Sequence, residues 1–355
     1  MVVPPRNDLL SVSEKYRVMS TEEAIKALPK LEQHVHIVGS VRPETFLWLA
    51  EDSGLDLPYE TVEDLKGFYS YRGFPHFLEV YSKVNDAITK ESHYERITYE
   101  MMEAQAVCNV RHSEALFSAW DHVRRGLDYG LMVDAINRGI RRAARDFGVT
   151  CTIRVDLVRN YGPEVGMKVL DLVEEKGTNV VAIDTGGSEY GYPPKPYREC
   201  YRRAREMGLH LVAHQGEGAG VDYVWECVEH LEPERIGHGV AAGQDIELMK
   251  HIARRGISIE SCPVSNLRTG AVRSWAEHPI RRFIEHGVKV SVSSDDPPMF
   301  GTDMNNEYLQ LHRNLGFTLD ELFQISLDSV ETSFLEAEAK EFMRSRFLDE
   351  YERIK

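Results

Sequence analysis

The chain has 355 residues, 42% of them hydrophobic and 28% charged, which is ample for one large core or two ordinary ones and contains no apolar run long enough to span a membrane. Its 42 basic and 57 acidic side chains give a formal net charge of −15, which argues against non-specific attraction to nucleic acid polymers or anionic membranes and suits a small-molecule substrate. The five cysteines, Cys108, Cys151, Cys200, Cys227 and Cys262, form no Cys-x-x-Cys pair and Met1 to Leu10 carries no apolar leader pattern, so a reducing cytoplasm is the expected location.

Thr21 to Leu28 reads as a short helix with acids in its first turn, stopped by Pro29. The first strand comes next, over about 32 to 38, where His34 and His36 stand two residues apart. Alternation puts both imidazoles on one face with Val38 next in the row, which is half of a tetrahedral zinc site. Alone, a His-x-His pair is an ordinary core or surface feature, so its meaning depends on whether further ligands stand at comparable places later in the chain. Pro43 to Ala50 is a second helical piece. Residues 55–109 form a helical insertion, within which the aromatic stretch Phe74 to Tyr81 reads as a packing helix or as a lid.

From there short apolar runs alternate with amphipathic helices, the pattern of parallel strands joined by helical crossovers. Strands are expected at about 32 to 38, 110 to 117, 150 to 158, 179 to 185, 209 to 214, 235 to 238, 257 to 262 and 288 to 294, and helices end at Gly148, Gly177, Gly208, Gly256 and Gly287. Eight βα units predict an α/β fold of the (β/α)8 TIM barrel type, with a doubly wound open sheet as the alternative. The expected organisation is a single barrel domain over residues 1–355, with an N-terminal extension over 1–30, the insertion after strand one, and C-terminal helices.

In a barrel the chemistry gathers where the strands end. Strand one ends in His34 and His36, strand five in His214-Gln215-Gly216-Glu217, strand six in His238 and strand eight in Asp295-Asp296. Three imidazoles and a carboxylate complete a zinc-type coordination set, for which His34, His36, His214 and Asp295 are the expected ligands. Glu217 is placed to lean over the metal as general acid, and His238 and Asp296 are left to hold water and substrate. Strand four contains no lysine, so one metal per chain is expected rather than a lysine-bridged pair. Gln215 is read as facing outward. Asp156, at the end of strand three, is given no role.

These residues sit in motifs that resemble the adenosine deaminase branch of the metal-dependent amidohydrolases: Leu28 to Ser40, Ile183 to Glu189, His214 to Glu217, Arg235 to Gly239, Ser261 to Asn266 and Ser294 to Pro297. The resemblance implies one Zn2+ held by His34, His36, His214 and Asp295, and a purine substrate attacked at C6. It implies proton donation to N1 from Glu217, water held by His238, N7 met by Asp296, N3 met by the backbone N–H of Gly187, and a lid that includes Phe77. Adenosine deaminases carry Asp where Val38 stands, and that carboxylate meets the ribose 5′-hydroxyl. Val38 cannot accept this bond, so the pocket is expected to take an apolar 5′ substituent, a bare base or another aminated ring.

The leading expectation is therefore zinc-dependent hydrolytic deamination of a 6-aminopurine nucleoside or a related compound. The alternatives are a deaminase of adenine or of another aminated heterocycle, and a catalytically silent binding relative. Homo-oligomerisation is left open by the sequence.

Overall fold

The computed structural model describes residues 19–355, so most of the N-terminal extension lies outside the described residues. Eight strands, β1 (Lys30–His36), β2 (Val110–Phe117), β3 (Thr150–Asp156), β4 (Val180–Asp184), β5 (His210–Gln215), β6 (Arg235–His238), β7 (Ser258–Ser261) and β8 (Val290–Val292), lie side by side in chain order. Every neighbouring pair is parallel. The cylinder closes just beyond β8, where Val35 and Asp295 form a parallel bridge: His36 N–H donates to Asp295 O at 3.0 Å and Asp295 N–H to His34 O at 3.1 Å. This is the (β/α)8 barrel, and the open sheet is excluded.

The helices form where capping and patterning direct them. The Asp128 carboxylate accepts from Leu131 N–H to start the helix Tyr129–Phe147, which buries Met132, Val133, Ile136, Ile140 and Ala143 at helical spacing. Thr318 and Glu321 form a capping box ahead of Leu319–Thr332, whose buried face packs on β1 and β8 and covers the seam. Each such buried Leu, Ile or Val contributes roughly 1.5–3 kcal/mol relative to exposure. The insertion after β1 holds the helices Val62–Tyr69, Phe74–Ala87 and His93–Val107.

Two apolar clusters support the barrel from outside, one joining the insertion to the β2–β5 side and one joining the last helices to the β6–β8 side. Inside the barrel the filling is charged. Buried Glu260 on β7 accepts from Arg154 on β3 at 2.9 Å, and its carboxylate lies 2.8 Å from Arg235 Nε on β6. Arg154 also pairs with Asp184, and Arg235 with Glu114.

One boundary differs from the sequence expectation in a way that matters. β1 ends at His36, because Ile37 adopts a right-handed helical conformation and Val38–Ser40 forms a 3-10 turn. Val38 therefore leaves the row of His34 and His36 and is buried in the core. Among the described residues no helix is long and apolar enough to cross a membrane, and all five cysteines are free and buried.

Candidate active site

The C-terminal ends of the strands bring His34, His36, His214, His238, Asp295 and Asp296 together. Ligand atoms of His34, His36 and His214 lie within 4.8 Å of one another, and so do those of His34, His238 and Asp295. Asp295 Oδ1 is 3.5 Å from His34 Nε2 and 3.3 Å from His36 Nε2. Tetrahedral ligands at zinc bond lengths are about 3.3 Å apart, so these separations already suit a shared cation. His34 Nε2 is buried without a hydrogen-bond partner, an orphaned ring nitrogen that a cation would satisfy. The donor set of imidazole nitrogens and one carboxylate fits a zinc-type ion.

Behind these groups stands an ordered outer layer. His34 Nδ1 meets Glu260 Oε2 at 2.9 Å, His214 Nδ1 lies 3.0 Å from Asp184 Oδ1, and Ser265 Oγ donates to Asp295 Oδ2 at 2.6 Å. Such partners fix ring orientation and raise ligand basicity. His36 Nδ1 has a longer approach, 4.0 Å, to Asp156 Oδ2, which is itself held by Ser118 Oγ at 2.6 Å. Burial opposes charge on His34 and His36, but the surrounding carboxylates outweigh it. Asp295 and Glu260 lift His34 to about 10, and Asp296 and Asp295 lift His36 to about 9.

Glu217 and His238 face one another over this cluster, with Oε2 and Nε2 separated by 3.6 Å. Burial, then the charges of Asp295 and Glu189, push the Glu217 carboxyl up to about 8, so it holds a proton at neutral pH. His238 moves the other way: burial and the neighbouring imidazoles hold it neutral against the pull of Asp295. Asn266 Nδ2 donates to His238 Nδ1 at 3.0 Å, which leaves the ring proton on Nε2. His238 and Asp295 both have positive φ, 60° and 66°, an uncommon conformation for residues with a side chain, and the barrel end holds them there.

Asp296 is buried, its Oδ1 has no partner, and burial with the adjacent Asp295 charge raises it to about 8. Gly39 makes room for it, since a Cβ there would fall 1.6 Å from Asp296 Oδ1. Gly187, after β4, has φ +84 and a Cβ position only 2.4 Å from Asn160 Oδ1, so a side chain is excluded on both counts. Its N–H makes no hydrogen bond among the described residues and lies on the cavity wall.

That cavity measures about 590 Å3 and is lined by His36, His214, Glu217, His238, Asp295, Asp296 and Gly187 on one side. Phe74, Phe77, Leu78, Tyr81 and Phe300 line the other. Phe77 stacks on Phe300 with ring centroids 4.6 Å apart, so the insertion is tied to the loop after β8. The stretch expected as a packing helix or lid is a helix whose aromatic side forms this wall. Of the expected substrate contacts Val38 is absent from the lining, because the turn at Ile37 carries it into the core. Gln215 does not face outward either. It is buried, donates to Glu189 Oε2 at 2.6 Å and accepts from Arg159 Nη2 at 3.3 Å.

Sequence reasoning passes over Glu260, Asp184, Ser265 and Asn266. The signal that could find the two acids is a carboxylate inside an otherwise apolar or small-residue strand, as in Ile183-Asp184 and Ile259-Glu260-Ser261.

A family model described as adenosine deaminase matches residues 29–350. An aminodeoxyfutalosine deaminase of Streptomyces coelicolor is 38% identical over 319 residues, covering 89% of this chain and 82% of that protein. An adenine deaminase of Acinetobacter baylyi is 32% identical over 91% of this chain and 97% of its own length. Among solved structures, adenine deaminase from Arthrobacter aurescens superposes with a TM-score of 0.85 at 30% identity, covering 92% of this chain and 98% of that one. An amidohydrolase from Burkholderia ambifaria with bound Zn gives 0.87 at 28% identity, covering 96% and 95%.

Proposed function

Because this chain belongs to the adenosine deaminase family and is an aminohydrolase, we propose that it hydrolyses the 6-amino group of adenine to leave a 6-oxopurine and ammonia. The observation that carries the reading is Glu217 Oε2 standing 3.6 Å from His238 Nε2, beside two groups of potential ligands that share His34: His34, His36 and His214, and His34, His238 and Asp295. The Streptomyces and Acinetobacter relatives act, by their names, on aminodeoxyfutalosine and adenine. Adenine therefore replaces the adenosine-like nucleoside as the first candidate.

In this reading His34, His36, His214 and Asp295 hold one zinc ion. When bound, zinc supplies a water acidified enough to attack near neutral pH. The residues of the chain then divide the work. Glu217 gives its proton to purine N1, drawing electron density away from C6. His238 Nε2 orients the attacking water, and Asp296 helps to hold it while contacting N7. The two protons of the water then balance the step: one passes to the amino group, which leaves as ammonia, and the other returns Glu217 to its protonated form. Gly187 N–H meets N3 and fixes the ring, and Phe77 with Phe300 covers its face and excludes bulk water. One water is consumed and one ammonia released per ring.

A 6-aminopurine carrying a substituent is the second reading, favoured by the cavity of about 590 Å3, which lies within the range that takes drug-sized ligands rather than a bare base. Ammonia release and the absorbance change on adenine, adenosine, 5′-deoxyadenosine and 5′-methylthioadenosine test both. Turnover of adenine above the nucleosides is expected. Turnover confined to the substituted compounds selects the second reading, and no ammonia from any of them with zinc-loaded protein rejects the function.

A further inference from the structure

Glu189 occupies an unusual position for an acidic residue. It is buried, it lies two residues beyond Gly187 in the segment after β4, and its carboxylate accepts from one loop only. Oε1 takes the N–H groups of Glu217 (2.9 Å) and Gly218 (3.1 Å). Oε2 takes those of Gly216 (2.8 Å) and Ala219 (3.3 Å), and also Gln215 Nε2 (2.6 Å). Four successive backbone N–H groups turned toward one point make a concave anion site, and here a side chain of the same protein fills it. Gln215 secures the arrangement from the other side, since its Oε1 accepts from Arg159, which also donates to Thr185 Oγ1 at 3.0 Å.

The loop so gripped is the one that carries Glu217. Without the carboxylate, four converging N–H groups would be left without their acceptor, and the loop would have to open to find water. A loop of Gly216, Glu217, Gly218, Ala219 and Gly220 has little side-chain packing of its own to hold a shape. We propose that Glu189 is a positioning residue for the proton donor: by filling the ring of backbone N–H groups from Gly216 to Ala219, it sets where Glu217 stands relative to the bound purine. The same short segment thus presents Gly187 to the substrate and holds the loop of the acid, so the ring contact and the proton donor share one support. This inference rests on the role of Glu217 in the proposed function.

The test uses the zinc-loaded full chain with the 6-aminopurine found to turn over fastest, and compares Glu189→Gln, Glu189→Ala and Glu217→Gln. A proton donor displaced by about 1 Å costs on the order of 100-fold in rate. Glu189→Gln is expected to lower kcat by about that factor while KM stays within about threefold and zinc content is unchanged. Formate, which can take the place of the lost carboxylate among the N–H groups, is expected to restore kcat in Glu189→Ala and not in Glu217→Gln. Amide hydrogen exchange over residues 216–219 should accelerate in Glu189→Ala and slow again with formate. Unchanged kcat in Glu189→Gln beside an inactive Glu217→Gln overturns the positioning role alone. An active Glu217→Gln overturns the underlying reading and this inference with it. A loss of kcat that formate does not relieve and that tracks zinc loss marks Glu189 as merely structural. Should both Glu189 variants fail to fold, Glu189→Asp keeps the charge one methylene short; reduced kcat at normal zinc content supports the proposal, and a parental kcat rejects it.

Discussion

Asp295 Oδ1 lies 3.3 Å from His36 Nε2, although one residue stands at the start of the barrel and the other at its end. The contact exists because β1 meets the end of β8 at the seam, where the backbone of Asp295 bonds to both His34 and His36. The proposed cation site and the barrel closure therefore share the same three residues.

Replacing Asp295 with Asn keeps the backbone bridge and removes the charge. Zinc affinity is expected to fall by at least about 100-fold, beyond the 10- to 100-fold typical of outer partners, while the far-ultraviolet circular dichroism stays unchanged. Elemental analysis after dialysis against a weak chelator checks this. Full zinc retention would show that Asp295 is not a ligand.

Protons and the cation compete for the same lone pairs. With His34 raised to about 10 and His36 to about 9 in the absence of a cation, both imidazoles carry a proton at neutral pH that an incoming ion must displace. Zinc loading should therefore release protons near pH 7, strengthen as pH rises and weaken as it falls. Calorimetry in buffers of different ionisation heat counts the protons. An affinity independent of pH over this range would contradict the ligand assignment.

In the proposed reaction Glu217 must hold its proton to donate it, and at about 8 its carboxyl does so through neutrality. With zinc kept saturating, the rate is expected to be level below that pH and to decline above it as the proton is lost. Glu217→Gln should lower kcat by about 100- to 10,000-fold with zinc content intact, and the residual rate should lack the alkaline decline. Steady-state kinetics against pH, paired with metal analysis, provides the measurement.

Phe77 touches Phe300 and the cavity, not the proposed ligands. Phe77→Ala should raise KM by about tenfold or less, in keeping with the 0.5–1.5 kcal/mol of an aromatic pair, and leave zinc content unchanged. Loss of zinc instead would mean that the helix Phe74–Ala87 supports the barrel rather than covers the substrate.

The strands are legible in the sequence because each is a short apolar run ending in polar residues. β2 and β6 fall where the pattern puts them, and β5 ends on His214-Gln215 as expected. The end of β1 is less legible. Val35, Ile37 and Val38 are all β-branched, and nothing in their composition announces the turn at Ile37 that carries Val38 away from the cavity. Gln215 escapes for a related reason: a long polar side chain reads as exposed unless its buried partners are known. Here those partners, Glu189 and Arg159, come from other βα units. Glu260 and Asp184 are hidden in the same way, since a buried acid inside a strand makes sense only once the arginines and imidazoles opposite it are in place.

Those arginines have a further consequence. Glu260 serves Arg154, Arg235 and the His34 ring at once, so removing its carboxylate takes a partner from all three in the barrel interior. Losing one partner of such a buried pair costs roughly 3–5 kcal/mol, a large share of an ordinary domain's margin. A substitution in the aromatic wall thus disturbs few partners, whereas one in the charged plug disturbs several at once and calls for compensating changes. Single substitutions in the insertion should accordingly be tolerated more readily than single substitutions in the charged floor beneath the cavity.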